Sequence, residues 1–261
     1  MKALRNILEG LLRGQQSTLA SGGEAIYVLI EEFLKENYKG EWTISEEPNE
    51  DGLYVVNSND NVYIKNKQMT SLVNDLFVWG TINGGFDCSW CSLTSLKGAP
   101  KTVKDFVCCE CPLLESLEGG PEIVTGYFDC GGCKSLKTLE GGPQEVRGTF
   151  YCNHCKSLTS LKGAPGIIDE FNCSGCDSLK TLIGAPEIVE SYFDCSNCKS
   201  LKNLKGAPKI VKGSFDCNTC KSLKSLEGAP KTVKRDFYCQ NCGFTKDDVN
   251  KVSKVKGSIF C

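Results

Sequence analysis

A repeat solenoid of short parallel strands is the fold class this sequence predicts, and three observations predict it. Eight times between Phe86 and Cys242 the chain reads Phe-x-Cys-x-x-Cys. Seven of these units run on into a leucine pair, such as Leu136/Leu139 or Leu201/Leu204, and close on a Gly-[Ala/Gly]-Pro corner. A β-branched residue such as Val103, Val146 or Val211 then precedes the next phenylalanine. Self-similarity at a fixed period of about 20 to 50 residues marks a stacked architecture, because one unit cannot bury its own apolar faces. The expectation is about eight or nine rungs of 20–22 residues with a small α+β N-terminal cap.

Each element of a rung has a local cause. Phe-x-Cys alternates with period two, so Phe and the first Cys point to one side of a strand and the residue between them to the other. The dipeptide between the cysteines is turn-prone (Gly131-Gly132, Asn153-His154, Ser174-Gly175, Asn218-Thr219) and ends the strand. Leu-x-x-Leu returns along the far side, and the Gly-Pro corner starts the next rung.

The ends differ in kind. Residues Glu24 to Asn37 place Ile26, Ile30, Phe33 and Leu34 at helical spacing, an amphipathic helix. Three β-type runs follow, at residues 41–45, 52–57 and 61–65, and Met69-Thr-Ser-Leu72 repeats the pattern of Leu93 to Leu96. A degenerate rung is expected to begin there. At the other end Thr245-Lys-Asp-Asp248 reads as a capping box, opening a short helix that a strand at residues 255–261 follows. The chain thus divides into an N-terminal peptide or helix (1–14), a capping region (15–68), a solenoid (69–242) and a C-terminal cap (243–261).

These residues resemble the leucine-rich repeat. Val103-x-x-Phe106-x-Cys108-x-x-Cys111-x-Leu113 matches its L-x-x-L-x-L-x-x-[N/C]-x-L pattern, with Phe and Cys in place of leucines. Most other units carry one more residue before the phenylalanine, so the resemblance is to an irregular branch of that family, over about two-thirds of the chain. The chain is also similar to repeat proteins encoded by large tailed bacteriophages, built on units such as Ser222 to Cys239. The resemblance implies a curved solenoid with strands on its concave face, a protein-binding role, no enzymatic activity and no cofactor.

Cysteine chemistry leaves several readings open. Sixteen of the 18 cysteines are repeat positions, and successive Cys-x-x-Cys pairs fall in the spacing range of zinc ribbons. Zinc shared between two rungs would force the rungs to pair off, and the sequence shows no double period. The favoured reading is a ladder of reduced structural thiols, since buried cysteine acts as a small hydrophobe with a weak donor. Disulfides between adjacent rungs are a further reading, and redox catalysis ranks below it, since eight equivalent motifs cannot all be special.

Composition sets the outer bounds. With 40% apolar residues, 24% charged residues and a net charge of -2, the chain is neither disordered nor a bulk polyelectrolyte. No apolar run reaches the roughly 18 residues of a membrane span. Asn6, Glu9 and Arg13 break the apolar character of the first residues, so no secretory signal and a cytoplasmic location are expected.

Function on a solenoid should lie where the repeat varies. Between Phe and Cys the chain runs Asp87, Val107, Asp129, Tyr151, Asn172, Asp194, Asp216, Tyr238. Immediately before Phe it runs Asp105, Tyr127, Thr149, Glu170, Tyr192, Ser214, Asp236. Side by side, the two columns make an acidic face set with tyrosines, suited to a basic or mixed polar protein partner. The competing reading is that exposed strand positions are simply polar. A second stripe, Lys134, Lys156, Lys199 and Lys221 with Lys137, Lys180, Lys202 and Lys224, could meet phosphate. Asp177 and Glu115 interrupt it and no aromatic residue is regularly interleaved, which favours a solvated face over a nucleic-acid site. A zinc-stabilised nucleic-acid-binding protein remains the rival class. The sole histidine, His154, reads as a turn residue.

One short segment carries a second resemblance. Met1 to Gly10 is similar to the capsid-targeting peptides of internal head proteins of large tailed phages, with Ile7-Leu8-Glu9 before Gly10 as the cleavage sequence. That resemblance implies packaging in the virion head.

Overall fold

The computed structural model describes residues 22–261 and is a parallel-strand solenoid of about nine turns. The Met1–Gly14 segment, with the cleavage expected after Glu9, lies outside the described residues. Helix α1 (Gly22–Asn37) buries Ile30 and Leu34 against the start of the stack. Aromatic contacts carry that packing into the repeat: Tyr38 meets Trp79 at 5.1 Å between ring centroids, and Trp79 meets Phe86 at 5.3 Å.

Stacking begins before Met69. Strand Tyr54–Ser58 pairs parallel with Phe77–Asp87, and Val62–Ile64 sets Val62 beside Phe86 and Tyr63 beside Asp87. Val62 therefore occupies a phenylalanine position and Ile64 a cysteine position, so the cap supplies a rung without the signature residues. Met69 to Leu72 forms the return side of that rung: the Thr94 N–H donates to the Thr70 carbonyl, and Leu72 is buried.

From there the rungs superpose residue on residue. Phe86, Phe106, Phe128, Phe150, Phe171, Phe193, Phe215 and Phe237 are fully buried and lie ring over ring, with successive centroids 4.9 to 5.7 Å apart. That spacing is the strand separation of about 4.8 Å transmitted to the side chains. Removing one such ring would cost about 3–5 kcal/mol, transfer and cavity together. The valine column (Val103, Val124, Val146, Ile168, Val189, Val211, Val233) and the two leucine columns complete the core.

Rungs differ in how many strands they carry. Thr102–Val107 is one continuous strand. The next rung is divided into Ile123–Val124 and Phe128–Asp129. The divided strands make two parallel ladders, the second running from Ile167–Ile168 to Lys254–Val255. Sequence periodicity anticipates the phenylalanine ladder and misses the valine one.

One position departs from the leucine-rich-repeat alignment. Leu113 is 50% exposed, while Leu114 is fully buried between the equivalent Leu93 and Leu136 columns. Register across the stack, rather than distance from Cys111, selects the inward leucine. At the C-terminal end Thr245 caps helix α2 (Lys246–Val252) through a complete capping box with Asp248. Strands Lys254–Val255 and Ile259–Phe260 then extend both ladders.

Corners are fixed by backbone contact. In each, the third residue after the second leucine donates to that leucine's carbonyl, as Ala164 does to Leu161 at 3.1 Å, and the glycine between them takes positive φ. This is the geometry of a type II turn, which needs glycine at its third position. A Cβ on Gly163 (φ 95) would also come within 2.4 Å of the Leu139 backbone one rung back. Gly163→Ala is therefore expected to lower stability by about 2 kcal/mol or more. Gly166, where an added methyl would meet nothing within 4 Å, should tolerate alanine. Parallel urea titrations of the two variants check both.

Candidate functional site

Strand register aligns the variable columns as the alternation requires. Tyr63, Asp87, Val107, Asp129, Tyr151, Asn172, Asp194, Asp216, Tyr238 and Phe260 follow one another across paired strands. Tyr63 and Phe260 extend the row beyond the cysteine repeat, and sequence periodicity misses both because their rungs lack its motif. Phe260 stacks on Tyr238 at 4.9 Å with rings 7° from parallel. In the neighbouring column Thr149 pairs with Glu170, and Tyr127, Tyr192 and Asp236 occupy the equivalent place before their phenylalanines.

The aspartates have a second, structural task that the column pattern does not assign. Asp87, Asp129, Asn172, Asp194 and Asp216 each accept, through Oδ1, the backbone N–H two residues on, at 2.8 to 2.9 Å. These bonds hold the Cys-x-x-Cys turn, whose second inner residue is left-handed in every unit, from Trp90 (φ 62) and Glu110 (φ 53) to His154 (φ 58) and Asn241 (φ 60). Asx-type turns of this kind arise because a short side chain reaches its own backbone. The sequence signal is Asp or Asn directly before the first cysteine. Units with Val107, Tyr151 or Tyr238 there lack it.

Charge gathers at two places. Asp129 is held above the usual carboxylate range by burial and, further, by the charge of Asp87, against the pull of the Gly131 N–H. Asp216 is raised likewise, by burial and then by Asp194, although the Asn218 N–H and the Tyr192 hydroxyl bond it. Tyr192 donates to Asp216 Oδ2 at 2.9 Å, and Tyr238 to Asp236 Oδ2 at 3.3 Å. Tyr127 sits among Asp105, Asp129 and Asp87, and burial followed by these charges raises its hydroxyl pKa. The face therefore holds two acid–tyrosine clusters, around Tyr127 and around Tyr192, separated by Tyr151 and Asn172.

Lysines on the opposite side are partly neutralised between rungs. Lys137 pairs with Glu115 at 2.8 Å, and Lys156 and Lys199 share Asp177 at 3.1 Å each. Further inter-rung pairs join Lys97 to Glu118, Lys205 to Glu227 and Lys212 to Glu190. Exposed pairs of this kind contribute little stability each, about 0–1 kcal/mol, but they favour correct register over a slipped one.

The second cysteines form a continuous thiol ladder. Cys111, Cys133, Cys155, Cys176, Cys198, Cys220 and Cys242 each donate to the carbonyl of the first cysteine one rung back, at 3.0 to 3.3 Å. Among the described residues no backbone N–H reaches those buried carbonyls, so each thiol satisfies an acceptor that would otherwise be unpaired. Burial pushes the Cys176, Cys198 and Cys220 thiols of this ladder above their usual range, which keeps those three protonated donors. At the end of the ladder the Cys217 side chain and the backbone N–H groups around it pull the Cys242 thiol down to about 7. Among the described residues, no three His, Cys, Asp or Glu side chains converge as a metal site.

Two outcomes follow for substitution. Cys176→Ala leaves the Cys152 carbonyl unpaired and is expected to cost about 2 kcal/mol, with Cys176→Ser costing less because a hydroxyl can still donate; chemical denaturation ranks them. For Asp129 and Asp216 the folded-state pKa is raised, so their contribution favours folding below the ordinary carboxylate range and is lost as pH rises through the folded value. Replacing both with Asn, which keeps the turn bond as Asn172 does, should match or exceed the wild-type Tm at neutral pH. The difference should vanish toward about pH 4. Comparison of the chain with protein-family models, curated proteins and solved structures returned no match in any of the three.

Proposed function

We propose that the chain is a non-enzymatic binding scaffold that holds a protein segment bearing basic side chains against the Asp/Tyr face of its phenylalanine ladder. The observation that carries this reading is the in-register row of carboxylates and tyrosines. Oδ1 of Asp87, Asp129 and Asp194 is spent on the turn, and among the described residues Oδ2 accepts no hydrogen bond. Each of those oxygens is a fixed acceptor, because the turn bond removes the rotational freedom the side chain would otherwise lose on binding. Tyrosine adds contact area at low entropic cost.

Geometry narrows the partner. Asp129 and Asp194 lie three rungs apart, about 14 Å at the usual strand spacing, so two basic groups at that separation would engage both clusters at once. The raised pKa of Asp129 and Asp216 reflects burial first and then repulsion by Asp87 and Asp194, and a cationic side chain would relieve that repulsion. The nucleic-acid alternative draws on the lysine stripe and has less support, since Lys137, Lys156 and Lys199 are engaged by neighbouring carboxylates. Antagonism of a host factor, by a phage-encoded protein, is a natural use for such a scaffold.

The test is a substitution that removes charge and keeps structure. Asp129→Asn, Asp194→Asn and Asp216→Asn together should preserve the fold and weaken a captured protein partner by about tenfold or more. Binding should also fall as salt rises. Unchanged affinity in the triple variant would remove the face from consideration.

A further inference from the structure

We propose that Cys239 and Cys261 are a disulfide-forming pair that clasps the Ile259–Phe260 rung of the solenoid to the one before it. Register places them side by side: Phe237 pairs with Ile259 and Tyr238 with Phe260, so the next residue on each strand is a cysteine. Adjacent parallel strands separate Cα atoms by about 4.8 Å, inside the range of about 4.4 to 6.8 Å that a disulfide spans. The two Sγ atoms are 2.8 Å apart.

Interior cysteines of the same column are turned elsewhere. Cys130, Cys195 and Cys217 donate to the carbonyls of Tyr151, Asp216 and Tyr238 on the following rung, each at 3.3 Å. Cys239 instead meets the thiol of its own column on the following rung. Solvent access separates the pair further from the rest of the ladder: of the 18 thiols only Cys109, Cys242 and Cys261 are not buried. An oxidant therefore reaches Cys261 directly, whereas the interior is closed to it. Cys242, the other accessible thiol at this end, points at the Cys217 carbonyl and belongs to the second column.

The chemistry balances with a small-molecule disulfide such as oxidised glutathione as oxidant. The Cys261 thiolate attacks one glutathione sulfur, the S–S bond breaks, and one glutathione leaves, with a mixed disulfide at Cys261. Cys239 then loses its proton to solvent and attacks Cys261 Sγ, expelling the second glutathione. Two protein thiols are oxidised and one disulfide is reduced to two thiols. Burial holds the Cys239 thiol far above its usual range, so it is not the thiol that opens the oxidant; in the second, intramolecular step proximity compensates for its small thiolate fraction.

The clasp has a mechanical consequence. Among the described residues, strands Lys254–Val255 and Ile259–Phe260 are the last of their ladders and pair on one side only. Closing a loop that spans 22 positions and contains helix α2 restricts fraying at that edge.

The experiment uses the full chain, reduced and then incubated with oxidised glutathione. Intact mass should fall by about 2 Da, the two hydrogens lost in forming one disulfide, and peptide mapping should recover Cys239 linked to Cys261. Amide exchange at Lys254, Lys256 and Gly257, whose N–H groups bond the preceding rung, should slow by about tenfold or more. Cys261→Ser, at an exposed position, should fold normally and show none of these changes. A linkage through Cys242, a lasting glutathione adduct on Cys261, or an unchanged mass would each overturn the proposal.

Discussion

Like residue stacked on like residue is the constraint on which this molecule rests. A single rung offers two open faces, and only a neighbour in register covers them. The phenylalanine ladder shows how strictly that holds: eight rings lie in sequence with centroids never more than 5.7 Å apart. Slippage by one residue would turn every phenylalanine outward and every aspartate inward. Close stacking also explains the corners, where the backbone of one rung touches the next and leaves no room for a side chain.

That constraint produces a polar problem, which the cysteines solve. The left-handed residue inside each Cys-x-x-Cys turns the chain sharply and leaves the carbonyl of the first cysteine inside the core. A leucine at the second cysteine position would fill space and leave that carbonyl bare. Serine or asparagine would supply a donor and bring further polar atoms into an apolar column. A thiol is apolar enough to be buried and still donates, and at Cys176, Cys198 and Cys220 burial raises its pKa and keeps the proton in place. On the other side of the strand the aspartates complete the same turn, so they serve the fold as well as the proposed binding face.

Legibility of the chain varied with the locality of the cause. Core columns were readable because stacking demands repetition, and repetition is visible in one dimension. The C-terminal cap was readable because a capping box spans only Thr245 to Asp248. Leu113 was not: two leucines stand together, and register with the rungs above and below decides which turns inward. The first rung was also hidden, since Val62 and Ile64 fill the phenylalanine and cysteine places without any of the repeat's signature residues. In the candidate face, membership of the columns followed from alternation, whereas the Asx turns, the two acid–tyrosine clusters and the Tyr192–Asp216 bond required coordinates.

By itself, then, the sequence determined the repeat, the residues that face the core and the two columns that do not, because each is a property of period and polarity. Tertiary structure alone decided the division into two ladders, the direction of each thiol, which carboxylates crowd together and which cysteine pair meets at 2.8 Å. The physical reason is that each of these depends on the position of a neighbouring rung some 20 residues away, relative to which a shift of an ångström separates a hydrogen bond from an empty contact.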